Sequence, residues 1–210
     1  SVIFEIRIEK EAAVLTQAVV FPDAPALSGG RLDLEGITFD EDGDFYLASE
    51  KRCRVLRVGP AGDDVAWITP SLKEYDQARG LFRVKNAYLE GIASVGEDRF
   101  VLCAERQPRG FIELSFRGEA LSVKAYQRDE SKFHFPKGRS PDFSGLFRDA
   151  GGLYVLERGA YLICRMRQGE TGYEEGSAWS YESIVTSPEL RYANMRFGRA
   201  EGLCMDNGLV

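Results

Sequence analysis

Histidine is nearly absent from the chain: among 210 residues there is one, His134. A His-rich zinc or copper centre is therefore excluded, because such sites take several imidazoles. Cysteine is sparse as well. Cys53, Cys103, Cys164 and Cys204 lie far apart with no CxxC spacing, which speaks against a zinc knuckle and gives a disulfide scaffold no support, so small buried hydrophobes are the expected role. No apolar run approaches the length of a membrane span. Basic charge is in deficit, with 27 Lys and Arg against 33 Asp and Glu, a net charge of -6 and a pI near 5.1. Nucleic acid and anionic membranes, which need a basic surface, are not expected partners.

What the chain has in quantity is glycine, 22 residues. Its apolar runs are short and are punctuated by Asp-Gly, Gly-Glu-Asp and Gly-Gly turns, a pattern of strands and hairpins. An all-β fold is the expectation. The length and even composition point to one domain spanning residues 1–210. At the start, Val2, Phe4, Ile6 and Ile8 alternate with Ile3, Glu5, Arg7 and Glu9. That alternation reads as a half-buried strand rather than a leader peptide.

The chain repeats itself. LEGITFDEDGDFYLASEKRCRVLRV begins at Leu34, YLEGIASVGEDRFVLCAERQPRGFIEL at Tyr88, DFSGLFRDAGGLYVLERGAYLICRM at Asp142, and a fourth start, AEGLCMDNGLV, at Ala200. The anchoring dipeptides are Glu35-Gly36, Glu90-Gly91, Ser144-Gly145 and Glu201-Gly202, at steps of 55, 54 and 57 residues. Each complete unit reads as a first strand, a tight turn, an aromatic-rich second strand, a third and a weaker fourth, which is the blade of a β-propeller. In the first unit these are residues 34–39, 44–50, 54–58 and 64–68. The last unit stops as its second strand should begin, so the expectation is about four blades of a longer propeller, incomplete at the C-terminus and closed in part by the N-terminal strands.

A second marker recurs where each second strand ends: Glu50, Glu105 and Glu157. Hairpin arithmetic, in which facing residues share one positional sum, sets Glu35 opposite Glu50, Glu90 opposite Glu105 and Ser144 opposite Glu157, with turns at Asp42-Gly43, Glu97-Asp98 and Ala150-Gly151. Opposed like charges destabilise a strand pair, so compensation is expected from a hard cation such as Ca²⁺ or from basic side chains. Lys51, Arg106 and Arg158 follow the three glutamates, with alternation turning them to the other side of the strand. The connections entering this corner are basic too: Lys73, Arg79, Arg83 and Lys85, then Arg128, Lys132, Lys137 and Arg139, then Arg191, Arg196 and Arg199. An acidic floor under cationic loops suits a small anionic ligand or ester held partly through a metal. The plainer reading is structural, with corner carboxylates capping amides or pairing with arginine. Tyr46, Phe100 and Tyr154 are expected between blades, and Gly36, Gly91, Gly145 and Gly202 where backbones approach closely.

Taken together, LEGI, FYLASE, YLEGI, FVLCAERQPRG and AEGL resemble the phytase-like propeller family described as having esterase-like activity, from Leu34 to Leu209. The resemblance implies a six-bladed or similar propeller, bacterial and periplasmic or secreted, with hydrolysis of esters or phosphate esters and calcium dependence. It carries over Glu35, Glu90 and Glu201 from the Glu-Gly motif and Glu50, Glu105 and Glu157 from the second strands as metal ligands. Ser144 departs from the pattern. Three functions stand against each other: a calcium-assisted hydrolase with Glu90, Glu105 and Arg106 at its centre; a non-catalytic propeller that binds an anion or a protein through Lys51, Arg106 and Arg158; and a lactonase-like enzyme drawing on Asn194 and Asn207. A serine route with Ser144 as nucleophile and His134 as base lacks a nucleophile elbow.

Overall fold

The computed structural model describes residues 1–9, 12–21, 30–189 and 200–205. Three antiparallel four-stranded sheets follow one another along the chain. The first is β3 (Leu34–Phe39), β4 (Phe45–Ser49), β5 (Arg54–Val58) and β6 (Val65–Trp67). The second is β7 (Leu89–Gly96), β8 (Arg99–Ala104), β9 (Gly110–Arg117) and β10 (Ala120–Gln127). β11 (Phe143–Asp149), β12 (Gly152–Glu157), β13 (Leu162–Gly169) and β14 (Gly172–Ser180) make the third. Each sheet runs in chain order with neighbours paired, the meander of a propeller blade. β1 (Val2–Glu9) and β2 (Ala12–Val20) form a separate hairpin.

The second strands are continuous apolar runs because both their faces are covered. In β8, Phe100, Leu102 and Ala104 pack toward the first blade with Val55, Leu72 and Leu89. Val101 and Cys103, on the other face, pack toward the third blade with Phe111, Phe143 and Val155. Tyr46 and Phe100 meet across the first blade boundary with ring centroids 4.5 Å apart. Each such fully buried side chain contributes roughly 1.5–3 kcal/mol, so the blade interfaces hold the structure together.

The first strands β3, β7 and β11 lie side by side, and their glycines set the spacing. A Cβ on Gly36 would lie 2.7 Å from the Gly91 Cα, and one on Gly91 would lie 2.7 Å from the Leu146 nitrogen. Across the same seam, the Ser94 N–H donates to Thr38 Oγ1 at 3.1 Å.

The fold is all-β as expected, with two short helices, α1 (Lys73–Ala78) and α2 (Glu182–Val185), between blades and after the third. Two expectations need correction. Val2, Phe4, Ile6 and Ile8 are 43–78% exposed rather than inward-facing; a register shift between Glu5 and Ile6 breaks the alternation, and Ile3 packs with Phe21 and Leu47. Cys53, Cys103 and Cys164 are buried free thiols, but Cys204 is exposed. Among the described residues, no helix is long and apolar enough to cross a membrane.

Candidate acidic corner

The expected turns are where hairpin counting puts them, but the backbone register is not the one counted. In each blade it slips by one residue at the start of the first strand: between Leu34 and Gly36, between Leu89 and Gly91, and between Phe143 and Gly145. Glu35, Glu90 and Ser144 are the extra residues of these bulges. A bulge re-aims a side chain and increases local twist; the Glu35 carboxylate still meets Glu50 of its own hairpin, and that of Glu90 meets both Glu105 of its own hairpin and Glu50 of the neighbouring blade.

The result is an acidic cluster that crosses the boundary between the first two blades. Carboxylate oxygens of Glu50, Glu90 and Glu105 all lie within 4.8 Å of one another, and those of Asp33, Glu35 and Glu50 form an adjoining group of the same size. Glu50 belongs to both. Glu90 is 8% exposed and Glu105 3%. Burial first, and then the charges of Glu35, Glu50 and Glu201, push the Glu90 carboxyl up to about 8 against the pull of Arg158. Glu35 is raised for the same reasons, burial ahead of Asp33 and Glu50.

Backbone and arginine contacts fix the cluster. Glu50 Oε1 accepts from the Tyr88 N–H at 3.2 Å, while the Glu50 and Glu105 N–H groups donate to the Asp33 and Tyr88 carbonyls at 2.8 and 2.9 Å. Asp33 reaches that geometry with φ 53°, the left-handed region that aspartate tolerates better than most residues. Glu105 Oε1 is paired with Arg106, and with Arg158 Nη2 at 3.0 Å. Glu105 Oε2 is buried and has no hydrogen-bond partner among the described residues.

Arg158 is the main counter-ion of the corner. It also pairs with Asp142 at 3.0 Å and with Glu201 at 2.5 Å, tying three repeat units together. Alternation would have turned it away, but β12 ends at Glu157 and the chain enters a 3₁₀ turn at Arg158–Ala160. Arg139 secures that turn through the carbonyls of Arg158 and Gly159 at 2.6 and 2.8 Å. Lys51, by contrast, is exposed on the rim.

Other expected residues go elsewhere. Glu157 is fully buried and held by Arg109 and by the Asp142 and Gly159 N–H groups at 2.8 and 3.0 Å, so it is a structural partner and lies outside both acidic groups. Glu201 is spent on Arg158. Ser144 is buried and donates to the Ala200 carbonyl at 2.7 Å, while His134 is exposed; the two do not form a pair. The loop cations mostly serve carbonyls and rings: Lys73 sits over Tyr88, Arg79 donates to Tyr75, Arg128 to Tyr173 and Lys132 to Gly176. Arg191, Asn194, Arg196, Arg199 and Asn207 lie outside the described residues.

Sequence reasoning passed over Asp33, Asp142 and Arg109. The two aspartates carry a readable signal, since each stands two residues before the bulge in DLEG and DFSG, where the second blade has Tyr88. Arg109 carries none: in the other units its place before the third strand is taken by Cys53 and Tyr161.

No curated protein matches the chain. Two solved structures are similar at low identity. The PQQ-bound aldose sugar dehydrogenase from Streptomyces coelicolor is 15% identical, with 68% of this chain and 47% of that one covered and a TM-score of 0.45. The virginiamycin B lyase from Staphylococcus aureus is 12% identical, with 69% and 55% covered and a TM-score of 0.31. The chain thus spans about half the length of either. The phytase-like family, described as "esterase-like activity of phytase", matches residues 3–166, a stretch that holds all three complete blades' Glu-Gly or Ser-Gly bulges and the whole of both acidic groups. By that match the chain is a member of the phytase-like propeller family.

Proposed function

We propose that the protein is a calcium-assisted hydrolase of esters or phosphate esters, with the cation held by Glu50, Glu90 and Glu105. The observation that carries the reading is the three convergent carboxylates, one of which, Glu105, has a buried oxygen with no partner among the described residues. Calcium takes oxygens at about 2.3–2.6 Å, so ligands on one ion lie up to about 5 Å apart, and the observed 4.8 Å spread fits. A cation would also relieve the burial and like charge that hold the Glu90 carboxyl up at about 8; of the three acids, Glu105 is the one in direct ion pairs with Arg106 and Arg158 among the described residues.

Bound there, calcium supplies Lewis-acid polarisation of a carbonyl or phosphoryl oxygen. The chain does the rest. Arg106 and Arg158 hold Glu105 and set positive potential beside it, where negative charge develops on the substrate. The Tyr88 N–H orients Glu50, and the exposed Lys51 gives the rim an attraction for anions.

The test is turnover of p-nitrophenyl phosphate and p-nitrophenyl butyrate with calcium and with a chelator. Calcium-dependent activity should fall by about 100-fold or more in Glu90→Gln/Glu105→Gln and survive in Glu157→Gln. Turnover unaffected by chelator would overturn the reading. Calcium binding without turnover of either ester would favour a module that holds a small anion without transforming it.

A further inference from the structure

The blades splay apart again at the opposite end of the strands. Between the second and third blades, near the turns that join β7 to β8 and β11 to β12, lies a cleft of about 490 Å³. From Glu90 to Val95 the strand rises about 3.3 Å per residue, or roughly 17 Å, so this cleft is remote from the acidic corner. Its size is within the range of small-molecule sites, about 300–1,000 Å³.

Its lining has two parts. Leu153, Met166 and Tyr173 form a small, largely buried apolar floor. Arg99, Lys124 and Arg148 stand exposed around the mouth, with Ser115, Ser122 and Gln168 between them. One carboxylate, Glu113, also lines the cleft, and its oxygens are already engaged: Tyr173 donates at 2.8 Å, Tyr126 at 3.2 Å and Gln168 at 3.4 Å. The cations are less committed. Arg99 gives one N–H to the Val95 carbonyl at 3.3 Å, and Lys124 and Arg148 have no ion pair among the described residues. In a chain of net charge -6, three cations around a single carboxylate make a local excess of positive charge.

We propose that this cleft is a second binding site, for a small organic anion with an aromatic or otherwise apolar body, seated between the second and third blades. The body lies on Leu153, Met166 and Tyr173, and the anionic group meets Lys124, Arg148 and Arg99 at the mouth. An apolar floor gives such a ligand its burial, while charges at the mouth select its sign and orientation. The site does not depend on the acidic corner or on its metal.

Phenylphosphonate is a suitable probe, because it has both parts and no ester bond to hydrolyse. It is titrated into the intact protein in EDTA, by calorimetry and by NMR of methyl-labelled methionine, with the Met166 resonance assigned through Met166→Leu. The expected result is saturable binding that shifts the Met166 methyl, is at least tenfold weaker in Lys124→Ala/Arg148→Ala, and is not matched by inorganic phosphate. Both substitutions are at exposed positions, and an unchanged melting temperature confirms that the variant folds. Absence of saturable binding, or equal affinity in the double variant, would overturn the site. Inorganic phosphate binding as tightly as the probe would overturn the assignment to an anion with an apolar body.

Discussion

Arg109 and Arg158 divide the acid of this molecule between structure and function. Arg109 is 1% exposed, sandwiched between Glu157 and Glu175 and stacked 4.4 Å above the Phe143 ring. A buried charge stripped of its partner is expensive, so Arg109→Ala, which leaves two carboxylates inside the third blade, should lower stability by about 3–5 kcal/mol in urea unfolding. Glu157→Gln should also lower stability, yet leave calcium affinity unchanged, because Glu157 already spends its oxygens on Arg109 and two N–H groups. A matched loss of calcium affinity in that variant would place Glu157 back among the ligands. Arg158 is the opposite case: it is surrounded by Glu105, Asp142 and Glu201, so it fixes the corner rather than the core. The second-strand glutamates were legible because the repeat brings them back at similar steps, 55 and 52 residues. Their different fates were not, since Arg109 occupies a place that the other units give to cysteine and tyrosine.

At the scale of the element, the bulge is what hairpin counting cannot supply. Counting assigns one residue opposite one, and it located every first turn; one extra residue before each of Gly36, Gly91 and Gly145 then takes Glu35, Glu90 and Ser144 out of the paired register. The glycines that follow were legible as points of close approach, and they are. A Cβ at Gly91 would lie 2.7 Å from the Leu146 nitrogen and 3.0 Å from Cys103 Sγ, whereas one at Gly202 meets nothing within 4 Å among the described residues. Gly91→Ala should therefore destabilise by about 1–3 kcal/mol through overpacking, and Gly202→Ala by far less, as thermal unfolding of the pair would show.

The α1 helix carries a second consequence at this scale. Its Asp76 is fully buried, and both carboxylate oxygens lack a hydrogen-bond partner among the described residues. Burial pushes the group up to about 7, opposed by Arg79; the nearby Cys53 thiol, itself raised to about 12 by burial, stays neutral throughout. Between about pH 4 and pH 7 the unfolded chain gives up this proton and the folded chain keeps it, so Asp76's contribution to stability is lost as pH rises through that window. A shift of this size corresponds to a few kcal/mol, on the order of 1.4 per unit. Asp76→Asn should flatten the pH dependence of the melting temperature over that range; an unchanged slope would show that the carboxyl finds a partner in solution.

For the whole molecule, the repeat told of blades, and the blades told where the acids gather. What the repeat could not tell is that the gathering happens between blades, because a cross-blade cluster depends on how far apart the glycine seams hold the strands. The same architecture places the acidic corner at one end of the blade boundaries and a cationic cleft at the other, so a chain of net charge -6 presents opposite signs at its two ends. The central claim is that Glu50, Glu90 and Glu105 hold a calcium ion. Calorimetric titration of calcium into the intact protein and into Glu90→Gln/Glu105→Gln tests it directly. Micromolar, one-to-one binding that the double variant loses is the predicted result; no binding by the intact protein, or equal binding by both, would contradict it.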